Sequence, residues 1–159
     1  MTNNSPGSGA PANGNHSNKV IFHHDKLKMK LDVVLPADEL LIAPTVKRIM
    51  AAVSDIECSQ GKEFEIETAL LEAIANAVRH GAKNDPTKKV ECVVICEEPQ
   101  GMLIIVKDPG PGFDPKAVPN PTEGDAIFND HGRGIYMINQ LMDEVKFKKN
   151  GTEIHMRKF

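Results

Sequence analysis

The chain lacks any excess of positive charge: 19 Lys and Arg stand against 22 Asp and Glu, for a formal net charge of -3. Nucleic acid or an anionic membrane would want a basic stripe, so neither is expected as the main partner. No apolar run approaches the roughly 20 residues that a membrane-spanning helix needs. Cysteine is scarce. The three present (Cys58, Cys92 and Cys96) are odd in number and form no zinc-type CxxC pair, which fits a cytoplasmic protein. Cys92 and Cys96 fall on one face of a predicted strand and read as inert core thiols rather than a redox pair. Residues 1–18 contain no Asp, Glu, Lys or Arg and are dominated by Asn, Gly, Ser and Pro. Such a stretch buries too little apolar area to offset its ordering entropy, so a disordered tail is expected. It also lacks the basic start and apolar centre of a signal peptide. Internal repeats are absent.

What is present describes one globular unit. At 159 residues, with 40% hydrophobic and 26% charged, the chain has length for one domain with a core, placed here at residues 19–159. Leu27 to Leu35 alternates apolar and charged residues, the period of a half-buried strand. Pro44 suits the first turn of a helix that should end near Glu57. A second helix, about Phe64 to His80, shows an apolar stripe through Ile66, Ala69, Leu70, Ala73, Ile74 and Ala77, with Gly81 as its stop. Lys89 to Glu97 and Met102 to Lys107 read as hairpin strands. Gly132 to Met142 returns to helical spacing. Asn150-Gly151 then turns the chain between the short strands Val145–Lys148 and Thr152–Lys158. This order argues for an α+β two-layer sandwich, a mixed or antiparallel sheet covered on one face by about three helices.

Three fragments carry chemistry. Glu72 and Asn76 lie four apart, so on a helix their side chains stack on one stripe, about 40° apart, bordering the apolar face. Asp108 ends an apolar strand, and a carboxylate there can accept from an exocyclic amine, favouring adenine over guanine. Gly110 and Gly112 follow it and permit close backbone approach to a ligand. Gly132-Arg133-Gly134 opens a helix whose first N–H groups form an anion site, to which Arg133 can add a bidentate contact. No dinucleotide GxGxxG or P-loop spacing accompanies it. The histidines have no carboxylate or cysteine at ligand spacing and are not read as a metal site; His80 reads as a helix-end or site-edge residue.

Together, ETALLEAIANAVRHG, VKDPGPGFD and HGRGIYMINQLMDEV resemble the GHKL (Bergerat) ATP-binding superfamily, and within it the bacterial anti-sigma-factor serine/threonine kinases. The likeness runs from about Leu27 to Phe159. It implies ATP and Mg²⁺ as cofactors, with Asn76 as metal ligand and Glu72 as general base. It implies Asp108 as adenine reader, Gly110, Gly112, Gly132 and Gly134 around the nucleotide, Arg79 as a phosphate contact, Thr152 near the adenine, and an ATP lid over residues 109–131. The partners it implies are a STAS-type anti-sigma-factor antagonist, a sigma factor and a second copy in a homodimer. Between Pro109 and His131 there is one Lys, Lys116, and no Arg, although a kinase benefits from a cation at the γ-phosphate. An ATP-gated partner-binding switch without transfer is therefore the alternative.

Overall fold

In a computed structural model the described residues are 27–118 and 130–159. The expected tail, residues 1–18, and residues 119–129 of the expected lid lie outside them. The chain runs β1 (Leu27–Pro36), α1 (Ile42–Val53), α2 (Glu63–Asn76), β2 (Lys89–Glu97), β3 (Gly101–Lys107), α3 (Asp130–Leu141), β4 (Glu144–Lys148) and β5 (Glu153–Lys158). The five strands form one sheet in the order β1-β2-β3-β5-β4, with every neighbouring pair antiparallel. This is the expected α+β sandwich, resolved in favour of the fully antiparallel sheet.

Period-2 alternation separates the two sheet faces. Val90, Cys92, Val94 and Cys96 of β2 are fully buried, as are Met102 and Ile104 of β3. They meet the stripe of α2, where Ile66, Leu70 and Ile74 have no exposed surface. Val46 and Ile49 of α1 and Ile138 of α3 close the same core. On the far face Val93 pairs with Ile105 and Ile95 with Leu103, and all four are only half-buried.

Two expectations change. α2 does not run as a regular α-helix to His80. It stops at Asn76 and continues as one π turn, Ala77–Gly81, in which Ala82 N–H donates to Ala77 O at 2.8 Å. Gly81 is inside that turn rather than beyond it. The reversal falls instead on Lys83 and Asn84, with φ of 57° and 54°. Asn tolerates this left-handed region better than most residues. The second change concerns cysteine. Cys96 is bonded to Cys58, which lies in the short Glu57–Ser59 helical turn between α1 and α2, their Cα atoms 6.0 Å apart. Cys92 alone stays a buried free thiol, its pKa pushed up to about 12 by burial. Strand periodicity placed Cys96 in the core, but contact with a residue 38 positions away is a tertiary fact.

Candidate functional site

A cavity of about 110 Å³ opens between the C-terminal half of α2, the ends of β3 and β5, and α3. That is several times the room one water needs. Asn76, Asp108, Gly112 and Thr152 all line it, against apolar walls that include Ala77, Ile135 and Ile154.

Each element delivers its residue for a local reason. The stripe of α2 buries Ala73 and Ala77, which leaves Glu72 and Asn76 half-buried at the margin. α3 crosses that margin at Gly134. A Cβ there would lie 2.6 Å from Glu72 Oε2 and 3.2 Å from Asn76 Nδ2. The helix backbone therefore approaches the carboxylate and the amide with no side chain between. Gly132 lies in the first turn of α3, buried, while Gly134 is already in the second, because the helix starts at Asp130 rather than at Gly132. Gly132 thus keeps its place among the first-turn N–H groups that lack an intrahelical partner, and Gly134 does not.

At the other end, β3 runs out at Lys107 and Asp108 follows, its N–H donating to Thr152 O at 3.0 Å. The Asp108 carboxylate is half-buried, and Oδ1 accepts from Gly110 N–H at 2.7 Å. Burial raises its pKa above the usual carboxylate range, and the Gly110 hydrogen bond partly opposes this. Gly112 takes φ of 79°, a conformation that favours glycine, and a Cβ would overlap Asn150 O. Phe113 N–H donates to that same oxygen at 2.8 Å. The chain after Asp108 is in this way fastened to the β4–β5 turn, where Lys149, Asn150 and Gly151 are all left-handed. Thr152 Oγ1 donates to Lys149 O at 2.8 Å.

The two arginines are less simply placed. Arg79 does not line the cavity. It is exposed, and its Nε pairs with Glu39 Oε1 at 3.1 Å. An exposed pair of this kind is worth at most about 1 kcal/mol. Arg133 is exposed on α3 and is likewise absent from the cavity lining. His80 does line it, as a site-edge residue should, and its pKa is lowered by burial first and by the Arg79 charge second.

Sequence reasoning missed Phe113, Phe147 and Gly151. The two rings meet edge to face at 5.4 Å and lie on the cavity wall beside Gly151. A signal existed, since Phe147 follows Val145 at strand period and Phe113 directly follows Gly112, but neither position points to a cavity without the β4–β5 turn in place. The result is an apolar slot with a single fixed carboxylate at one end. At the other end the Asn76 amide lies beneath side-chain-free helix backbone, with the Glu72 carboxylate beside it but outside the cavity lining. An aromatic base with a polyanionic tail has this shape and polarity.

The profile of the histidine kinase-like ATPase domain matches residues 35–158. The chain belongs to that family. Among relatives, the serine-protein kinase RsbW of Staphylococcus epidermidis is 30% identical over 129 residues, covering 76% of each chain. The anti-sigma F factor of Clostridium novyi is 27% identical, covering 82% of this chain and 93% of its own. The anti-sigma F factor of Bacillus cytotoxicus is 31% identical, covering 70% and 79%. Family membership implies that the chain uses ATP. No helix among the described residues is long and apolar enough to cross a membrane.

Proposed function

We propose that this chain is a Mg-ATP-dependent serine/threonine protein kinase that phosphorylates a STAS-type anti-sigma-factor antagonist and sequesters a sigma factor, in the cytoplasm where transcription takes place. The observation that carries this reading is that Asn76 and Asp108 line one cavity, with Glu72 outside its lining but meeting the Gly134 backbone beside Asn76, in a chain similar to proteins named as serine-protein kinase and anti-sigma factor.

Asn76 offers a neutral hard oxygen beside a half-buried carboxylate, a donor set that suits Mg²⁺ when phosphates and water complete the octahedron. Bound metal would neutralise phosphate charge. Glu72 would accept the proton of the partner's hydroxyl and aim its oxygen at the γ-phosphate. Asp108 would accept from the adenine amine, and Thr152 and the glycines at 110, 112, 132 and 134 would let backbone close around the nucleotide. Phosphoryl transfer rests mainly on such positioning and charge neutralisation. The lid, residues 109–131, would cover the nucleotide.

A second reading, an ATP-gated switch that holds its partner without transfer, is favoured by one observation. Arg79 faces Glu39 rather than the cavity, and Lys116 is the single basic residue between Pro109 and His131. Incubation with γ-labelled ATP and candidate antagonists separates the two. A kinase should label the antagonist on Ser or Thr, Glu72→Ala should bind ATP without labelling, and Asp108→Asn should lose ATP. An unlabelled antagonist, controlled equally by parent and Glu72→Ala, would establish the switch.

A homodimer belongs to the same proposal. Its support is the half-buried apolar cluster Val93, Ile95, Leu103 and Ile105 on the sheet face that no helix among the described residues covers. Sedimentation of the full chain tests it.

A further inference from the structure

We infer that Gly81 is a specificity-positioning residue of this cavity. By presenting no side chain, it sets where the Asp108 carboxylate sits and hence which purine the site accepts. The inference rests on the reading of Asp108 as the adenine acceptor and adds a residue and a device to it.

A regular α-helix through Gly81 would close its turn with bonds to the fourth residue back. Here Ala82 N–H reaches Ala77 O instead, five back, and Asn84 N–H reaches Val78 O at 2.9 Å. The widened turn carries Gly81 against the end of β3. A Cβ built on Gly81 would overlap Asp108 Cγ and Oδ1 and lie 2.5 Å from Asp108 Cβ. The contact is reciprocal on its far side, because a Cβ on Gly110 would overlap Gly81 O and lie 2.8 Å from Asp108 Oδ1. Two stretches of bare backbone, at Gly81 and Gly110, thus meet around one carboxylate.

That carboxylate cannot simply step aside. Asp108 has a short side chain, and its N–H is held by Thr152 O at 3.0 Å. Oδ1 is committed to Gly110 N–H, which leaves the other oxygen as acceptor for a ligand. An acceptor fixed there favours the exocyclic amine of adenine over the carbonyl that guanine presents at the same edge. A methyl group at residue 81 must displace Asp108 itself and so should remove the discrimination. π turns occur disproportionately at functional sites, and this one has an identifiable task.

The test measures binding of Mg-ATP and Mg-GTP to the full chain, its Gly81→Ala variant, Asp108→Gly, and the double variant, each with its melting curve. Gly81→Ala should weaken ATP binding by about tenfold or more, the worth of one hydrogen bond to a charged group, while GTP binding changes little. The ATP:GTP ratio therefore falls, which a merely destabilising substitution would not cause. In the Asp108→Gly background the overlapped atoms are gone, so Gly81→Ala should cost no further stability. Failure of Gly81→Ala to fold alone, with folding restored by Asp108→Gly, supports the contact equally. Failure in both backgrounds overturns it. So does a folded Gly81→Ala with the parent's ATP affinity and ratio, in a parent that binds ATP. A parent that binds neither nucleotide overturns the ATP reading first and this inference with it.

Discussion

Asp108 holds a charge that the fold would sooner be without. Burial raises its pKa, so between its unfolded and folded values the native state binds more protons than the unfolded chain. Stability must therefore fall as pH rises through that window, and the deficit persists at neutral pH. Asp108→Asn removes the charge while keeping an oxygen for Gly110 N–H. The unliganded variant should melt at or above the parent at pH 7, with the gap closing in acid, while its ATP affinity is lost. Thermal melts of both proteins across the pH range check this; a variant that melts well below the parent at pH 7 would contradict it. Site residues commonly give up some stability in this way. Asp108 was legible in the sequence because it ends an apolar strand just before two glycines. The role of Gly81 was not, since a glycine at the end of a helical pattern reads first as a stop, and only the contact with Asp108 gives it another reason.

Among the elements, the strands and the bodies of the three helices follow directly from periodicity, because each buries one face and that face repeats at 2 or 3.6 residues. Their ends do not. The finish of α2 depends on where β3 terminates, and the start of α3 on residues that carry no periodic signal. The link between α1 and α2 is a further case. Ser59 is fully buried there, its hydroxyl donating to Val53 O at 2.6 Å, and the neighbouring Cys58 is joined to Cys96. The disulfide closes a loop spanning 38 positions that contains all of α2, and with it Glu72 and Asn76. Loop-closure entropy assigns such a crosslink on the order of 3–4 kcal/mol. Cys58→Ser, or dithiothreitol treatment verified by a gain of two thiols, should lower the urea midpoint accordingly. An unchanged midpoint after verified reduction would show that the bond adds nothing to the fold. In a cytoplasmic protein such a bond would belong to the minority that respond to redox conditions.

For the whole molecule, the proposed homodimer concerns the sheet face that no helix among the described residues covers. Val93, Ile95, Leu103 and Ile105 form a compact apolar cluster, flanked by Lys30 and Arg157 in one cross-strand row and by Asp32 and His155 in the next, with Glu144 and Lys146 of β4 beyond them. A patch rimmed by both charge signs suits an isologous contact in which each copy presents the same surface. The parent should sediment as a dimer at micromolar concentration, and Ile105→Glu as a folded monomer that still binds ATP. A monomeric parent, or a dimeric Ile105→Glu, would remove this face from consideration.

From the sequence alone came the layer architecture, the order of elements and the family, because all three depend on local periodicity and on short motifs whose residues are near neighbours in the chain. Asn76, Asp108, Gly112 and Thr152 were also singled out there, and they line one cavity. The tertiary structure decided what depends on distant segments meeting. It turned Arg79 toward Glu39, brought Phe113 and Phe147 into one wall, joined Cys58 to Cys96, and seated Gly81 against Asp108. Each of these is a contact between residues far apart in sequence, and a one-dimensional pattern holds no information on approach at that range until the sheet order has set which segments are adjacent.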